Sequence, residues 1–272
     1  MSGSGVMTPV STDRWSSGDA YEAYMGRWSR LVARAFLEWI RPNPQAQWLD
    51  VGCGTGALTS VICELCMPTS VIACDPSPSF IEHARAAIPD ERASFVVAGA
   101  DALPKRVGGF DMVVSGLVLN FLPRPDRALA AMHERLRPGG TLAAYVWDYA
   151  EGMQLLTTFW EEAVANDPAA KEADERTRFP LCRAAALEAL FKKAGLERVQ
   201  LSALEVPTEF ATFEEYWAPF QRGTGPAPSY VAKLKIAQRD ALKERLRRRL
   251  VAGGDGTFKL QARALAVRGA AL

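Results

Sequence analysis

Three carboxylates and a set of alternating glycines stand where apolar runs of the chain give way to polar turns. The segment Asp50-Val51-Gly52-Cys53-Gly54-Thr55-Gly56 closes the apolar run Gln47-Trp48-Leu49 and opens the helix-like stretch Ala57-Leu58-Thr59-Ser60-Val61-Ile62. It reads as a strand, a turn and a helix start. Glycine at every second position removes every second Cβ, so the backbone can bend sharply and a ligand can lie against main-chain N–H groups. The spacing is GxGxG; Ala57 follows Gly56, so the GxGxxG spacing of a dinucleotide turn is missing. Asp75, 25 residues after Asp50, ends the run Val71-Ile72-Ala73-Cys74. A carboxylate there can accept both hydroxyls of a ribose, and a capping role for Asp75 or Ser77 at the next helix is compatible with that. Asp101 follows a third run, Val97-Ala98. Three acids at three strand ends say more than the glycines alone.

The elements that must position these groups follow from periodicity. From position 46 strand and helix patterns alternate, which means βαβ units and a mostly parallel sheet. Strands are expected near 46–51, 70–74, 94–98, 110–115 and 141–147, and helices near 57–66, 78–88 and 126–137, with Gly139-Gly140 as the turn into the fifth strand. A helix at 183–194, closed by Gly195, leads to strands near 197–206 and 257–267. The fold class is therefore α/β, a Rossmann-like, doubly wound, seven-stranded, mostly parallel sheet. Three parts are expected: an N-terminal helical lid over 1–45, a core formed by 46–206 and 257–272, and a helical cap inserted at 207–256. In such a sheet ligands bind outside the carboxyl ends of the strands.

As a set, the GxGxG turn with Asp50, the acids Asp75 and Asp101, the loop Ser115-Gly116-Leu117 and the turn Arg137-Pro138-Gly139-Gly140 resemble the class I S-adenosylmethionine-dependent methyltransferases. The resemblance spans roughly 46–148 and is closest to the small-molecule branch that includes the ubiquinone and menaquinone biosynthesis methyltransferases. It implies S-adenosylmethionine as cofactor, held by Asp50, Gly52, Cys53, Gly54, Asp75, Pro76, Asp101, Ala102, Ser115 and Leu117. In the family the acid matching Asp101 bonds the adenine amine, and the N-terminal segment folds over the cofactor. By the same resemblance Tyr21 and Arg27 touch its methionine end, with Arg27 a bidentate partner for the carboxylate.

Candidates for the acceptor pocket are Trp28, Asn120, Trp147, Trp217 and Phe220. Asn120 is either a polar contact or the cap of a turn, and Trp217 and Phe220 either line the pocket or hold the cap to the core. Methyl transfer from a sulfonium disperses positive charge, so orientation and exclusion of water supply most of the rate and a dedicated base is optional. His83 and His133 fall on helices pointing away from the pocket, which leaves Tyr21, Tyr24 and Asp148 as weak candidates for a catalytic role.

Composition narrows the remaining classes. With 32 basic and 31 acidic side chains, the net charge of +1 gives no electrostatic commitment to nucleic acid or to an anionic membrane. The arginines at 245 and 247–249 read as a solvated helix face rather than a nucleic-acid patch. No run of about 18 apolar residues and no signal-like start occurs, so a cytoplasmic protein without a membrane span is expected. Five cysteines, an odd number, argue for reduced thiols, and Cys63-x-x-Cys66 lacks the further ligands of a metal site, so no metal is assigned. Three functions compete: transfer of methyl to a small molecule, SAM binding without methylation (a cyclase-like catalyst or a binding module), and a nicotinamide-dependent oxidoreductase, which the missing glycine spacing disfavours. The acceptor and the oligomeric state are not written in the sequence.

Overall fold

The computed structural model describes residues 27–222, 225–251 and 256–272. The chain enters the described region through α1 (Arg27–Ile40). Val32, Ala33, Phe36, Leu37 and Ile40 recur on one face of α1 and are all buried. Its last carbonyl, on Ile40, accepts from Arg268 at 2.9 Å, a cation on the negative end of the helix dipole.

The alternation expected from position 46 follows: β1 (Gln47–Val51), α2 (Ala57–Leu65), β2 (Ser70–Asp75), α3 (Pro78–Ala87), β3 (Ala93–Val97), β4 (Phe110–Gly116), α4 (Pro125–His133) and β5 (Leu136–Trp147). Proline stands at the start of α3 and of α4, where its missing N–H costs nothing. Then come α5 (Gln154–Asn166), α6 (Glu175–Arg178), α7 (Ala184–Lys193), β6 (Glu197–Phe210), α8 (Phe213–Trp217), α9 (Pro226–Lys233), α10 (Ile236–Leu250) and β7 (Phe258–Ala270).

The sheet has seven strands in the order β3-β2-β1-β4-β5-β7-β6. The first five are parallel, and β7 runs antiparallel to both its neighbours. The chain builds outward from β1 to β3, then returns to β4 on the other side of β1. Loops after β1 and β4 therefore diverge, and a crevice opens between them.

Two boundaries differ from expectation. Gly139 and Gly140 fall inside β5 rather than before it, because the pairing slips from Phe110 with Leu136 to Met112 with Thr141 and absorbs the glycines as an irregularity. β6 continues to Phe210, because its pairing with β7 runs on to Phe258. Since β5 stops against β7 at Ala264, the β6/β7 ribbon projects from Ala264 to Phe258, about 20 Å beyond the carboxyl edge. Trp28 packs on its tip against Phe210, with ring centroids 5.6 Å apart. Among the described residues, no helix is long and apolar enough to cross a membrane.

Candidate functional site

A cavity of about 440 Å³ opens at the carboxyl edge, over the crevice between β1 and β4, a size typical of small-molecule sites. Its floor is the turn after β1. Gly52, Gly54 and Gly56 have φ of 75°, 54° and 91°, the left-handed region that glycine occupies at little cost. At Gly52 the constraint is double. A Cβ there would meet two γ carbons of Val118 at 2.7 Å, so the β1 and β4 loops touch only because the side chain is missing. Gly52→Ala is expected to lower stability by about 1–3 kcal/mol through strain and overpacking, read as a lower melting temperature.

The N–H groups of Gly52, Cys53, Gly54 and Gly56 are committed within the protein, contrary to the expectation from the glycines. Gly52 and Cys53 both donate to the Cys74 carbonyl, at 2.8 and 3.0 Å, and Gly56 donates to the Cys53 carbonyl at 2.9 Å. Gly54 donates to Asp75 Oδ2 at 3.1 Å. The turn thus folds onto the end of β2 and presents its glycine backbone, with two carboxylates beside it, to the cavity. That suits a neutral or cationic ligand and opposes a pyrophosphate, which needs N–H donors and no adjacent acid.

The carboxylates differ. Asp50 is fully buried at the cavity wall; its Oδ2 accepts from the Thr59 hydroxyl at 2.7 Å, and its Oδ1 is buried with no partner. Burial raises its pKa to about 7, partly offset by Thr59. Asp75 bridges two loops, taking Gly54 N–H on Oδ2 and, at 2.9 Å on Oδ1, the Ser77 N–H. Burial raises its pKa as well, and those two bonds oppose the rise. Ser77 caps α3 by accepting from the Phe80 N–H at 3.4 Å.

The opposite end is apolar. Leu117, Val118, Phe121 and Leu122 from the loop after β4 line it, together with Tyr145 of β5 and Ser29 of α1. Leu117 has φ 62°, an unusual value for a branched side chain, held by its N–H on the Tyr145 carbonyl at 2.8 Å. Tyr145 reaches across to Gly116, its partner in the pairing of β4 with β5. A Cβ on Gly116 would fall 2.5 Å from the tyrosine oxygen.

Of the residues named from sequence, Asp50, Gly52, Cys53, Gly54, Asp75, Pro76 and Leu117 line this cavity. Asp101 and Ala102 lie past Ala100, outside the lining, and both are exposed. Ser115 is buried and donates to the Val51 carbonyl at 2.9 Å, tying β4 to the end of β1. Asn120 keeps a buried Nδ2 without a partner, outside the lining. Trp28 packs on the ribbon tip, and Trp147 is core. Asp148 is held by Arg263 at 2.5 Å and by the Glu151 N–H at 3.1 Å, committed to the β5 to β7 junction. Tyr21 and Tyr24 lie outside the described residues, as does the Arg27 side chain.

Trp217 and Phe220 are 1% and 0% exposed and take the packing alternative. Phe220 stacks on Phe159 of α5 at 4.6 Å and 6°, and Trp217 on Phe213 at 6.4 Å and 12°. The arginine run of α10 is paired: Arg245 and Arg249 with Glu162, Arg249 also with Glu161, and Arg247 with Glu214. Cys63 and Cys66 are raised by burial to about 11 each and stay protonated at neutral pH. The sequence did not single out Ser29, Phe121, Leu122 and Tyr145 of the lining, nor Thr59, which needed the fold to bring it to Asp50.

Comparison with known proteins gives three results. Residues 49–144 match the family model described as a methyltransferase domain. A trans-aconitate 2-methyltransferase of Deinococcus radiodurans is 36% identical over 115 residues, 42% of this chain and 43% of the relative. A malonyl-[acyl-carrier protein] O-methyltransferase of Geobacter sulfurreducens is 36% identical over 128 residues, 46% of each chain. The chain thus spans less than half the length of these curated relatives. Among solved structures, a Haemonchus contortus phosphoethanolamine N-methyltransferase 2 in complex with S-adenosyl-L-methionine superposes with a TM-score of 0.59 at 16% identity, covering 93% of this chain and 56% of that one. At that identity the likeness is one of fold.

Proposed function

We propose, for a chain whose residues 49–144 match the model of a methyltransferase domain, that it transfers the sulfonium methyl group of S-adenosylmethionine to a small-molecule acceptor. The observation that carries this reading is the cavity floor: a glycine turn with its N–H groups already satisfied, flanked by two buried carboxylates, one with an unpartnered oxygen. Such a floor suits an adenosine with a cationic tail. Asp75 offers acceptors to the ribose hydroxyls, and Asp50 Oδ1 offers one to the α-ammonium. The relatives whose names carry methyltransferase activity support the same chemistry.

An acceptor lone pair forms the new bond to the methyl carbon as the carbon to sulfur bond breaks. The electron pair stays on sulfur, leaving a neutral thioether, and the proton displaced from the acceptor passes to solvent. The chain orients the two reactants and excludes water from the apolar end.

The segment 1–45 serves in this reading as a lid, with Tyr21 and Arg27 toward the methionine end, and Asp101 and Ala102 at the adenine. The segment 207–256 acts in this reading as a cap buttressing that lid through the ribbon tip, where Trp28 meets Phe210. The paired arginines of α10 support a protein without a nucleic-acid face, and five buried free cysteines support a reducing, cytoplasmic setting.

Titration calorimetry with S-adenosylmethionine, followed by detection of S-adenosylhomocysteine after incubation with a metabolite extract, tests the reading. A folded chain that binds neither nucleoside overturns it. The pH dependence is a second check. An ammonium binds the ionised form of Asp50, whose pKa is raised to about 7. Half of Asp50 is ionised at pH 7 and about a tenth at pH 6, so affinity falls about fivefold over that unit. Asp50→Asn flattens the profile.

A further inference from the structure

Resting on the cofactor reading above, we propose that Thr59 is a positioning residue for the site: its hydroxyl keeps the Asp50 carboxylate ionised and anchored, so that the ammonium of the bound amino-acid tail meets a charged acceptor at neutral pH. Position in the chain carries the first step. Thr59 is the third residue of α2, the helix that starts directly after the glycine turn. The residue at the cap of α2 is Gly56, so the first turn has no side-chain cap of its own. Asp50 of β1 fills that place: its Oδ2 receives the Thr59 hydroxyl at 2.7 Å, and the Thr59 main-chain N–H supports the carboxylate as well. An anion at the start of a helix is favoured by the helix dipole.

The Thr59 hydroxyl is committed to this bond. Inside a helix a threonine hydroxyl commonly turns back to the carbonyl four residues before it; Thr59 instead spans the turn to a residue nine positions earlier, and a hydroxyl has one proton to give. The length matches a hydrogen bond onto an ionised acceptor. Both residues are 0% exposed, so water does not replace the donor when it is lost.

The electrostatics carry the second step. Burial raises the pKa of Asp50 to about 7; the Thr59 hydroxyl opposes the rise, Asp75 adds to it, and the Thr59 N–H opposes it again. Among the described residues, the other titratable groups coupled to Asp50 are the thiols of Cys53 in the turn, Cys74 in β2 and Cys63 in α2, all raised by burial and uncharged at neutral pH. A hydrogen bond onto a charged group shifts an ionisation by about tenfold, so without the hydroxyl Asp50 ionises about one pH unit higher and presents the ligand with a mostly neutral acid at pH 7. With Oδ2 held by Thr59, the buried and unpartnered Oδ1 is the atom left for the ammonium.

The test compares the full chain with Thr59→Val, which keeps the shape of the side chain and removes the donor, by titration calorimetry with S-adenosylhomocysteine. The ligand's own α-amino group titrates near pH 8, but that titration, like any group common to both proteins, cancels in the ratio of their affinities. The variant is expected to bind about tenfold more weakly at pH 6, fivefold at pH 7 and less than twofold at pH 9. Binding of 5′-methylthioadenosine, which has the nucleoside and no amino-acid tail, is expected to change less than twofold at every pH. Thr59→Ser restores the unaltered profile, and in an Asp50→Asn background Thr59→Val has less than a twofold effect, because the two residues act through one bond. Should Thr59→Val fail to fold, Thr59→Cys reads the same bond with a weaker donor: about threefold weaker binding at pH 6, vanishing at pH 9. A ratio that does not change with pH, an equal loss of 5′-methylthioadenosine binding, or an equal loss in Thr59→Ser overturns the role of Thr59. Failure of the unaltered chain to bind S-adenosylhomocysteine at any pH overturns instead the cofactor reading on which it rests.

Discussion

Asp75→Ala is expected to weaken S-adenosylhomocysteine binding by about a hundredfold while leaving the melting temperature nearly unchanged. The two effects separate because of what the carboxylate does in each state. In the folded, unliganded protein it is 8% exposed and its pKa is raised, so its burial is not fully repaid by the bonds from Gly54 and Ser77. Removing it relieves that burial and leaves two N–H groups short of a partner; these terms are opposed and of similar size, so the net change stays within about 1 kcal/mol. On the proposed cofactor reading the same side chain would accept from two ribose hydroxyls, and losing two bonds to a charged acceptor would cost about 3 kcal/mol, or two decades of affinity. Asp75→Asn keeps one acceptor oxygen and falls between. Calorimetry and thermal melts on the same preparations distinguish the outcomes. A Kd within fivefold of the unaltered protein would remove Asp75 from the ribose site.

Phe220→Ala is expected to do the reverse, lowering stability by about 3–5 kcal/mol with S-adenosylhomocysteine affinity within twofold. Phe220 is fully buried, stacked on Phe159 and in ring contact with Tyr216 and Trp217. Its removal opens a cavity among aromatic rings that cannot collapse without moving α5. None of these side chains lines the cavity at the carboxyl edge, so on the proposed reading the binding term is untouched as long as the chain is folded. Denaturant unfolding gives the first number and calorimetry below the new midpoint gives the second. Loss of affinity beyond tenfold in a fully folded sample would return the 207–256 segment to the pocket wall.

These outcomes turn on residues whose roles were legible to different degrees. The strand, turn and helix around Asp50 to Gly56 are visible in the chain because the signal is local: apolar run, alternating glycines, helical period. So are the acids at the ends of β1 and β2, since a parallel sheet exposes its carboxyl edge by topology. Asp75 and Asp50 line the cavity as that logic requires. Trp217 and Phe220 show the limit. An aromatic run with helical spacing has two faces, and only packing against Phe159, Phe213 and the ribbon decides that both residues turn inward.

The amino-acid sequence by itself determined the sheet, its mostly parallel order, the loops that could meet a ligand and the kind of group each could offer. Those properties depend on residue type and on separations of a few positions, which one chain records in full. The tertiary structure alone decided which of those groups are available. It closed the Gly52 and Gly54 N–H groups onto the Cys74 carbonyl and Asp75, left Asp50 Oδ1 without a partner, and brought the Tyr145 hydroxyl over Gly116. The glycine and tyrosine contacts are set by strand register and loop contact between positions 20 to 30 residues apart, where a shift of one residue turns a side chain to the other face of the sheet.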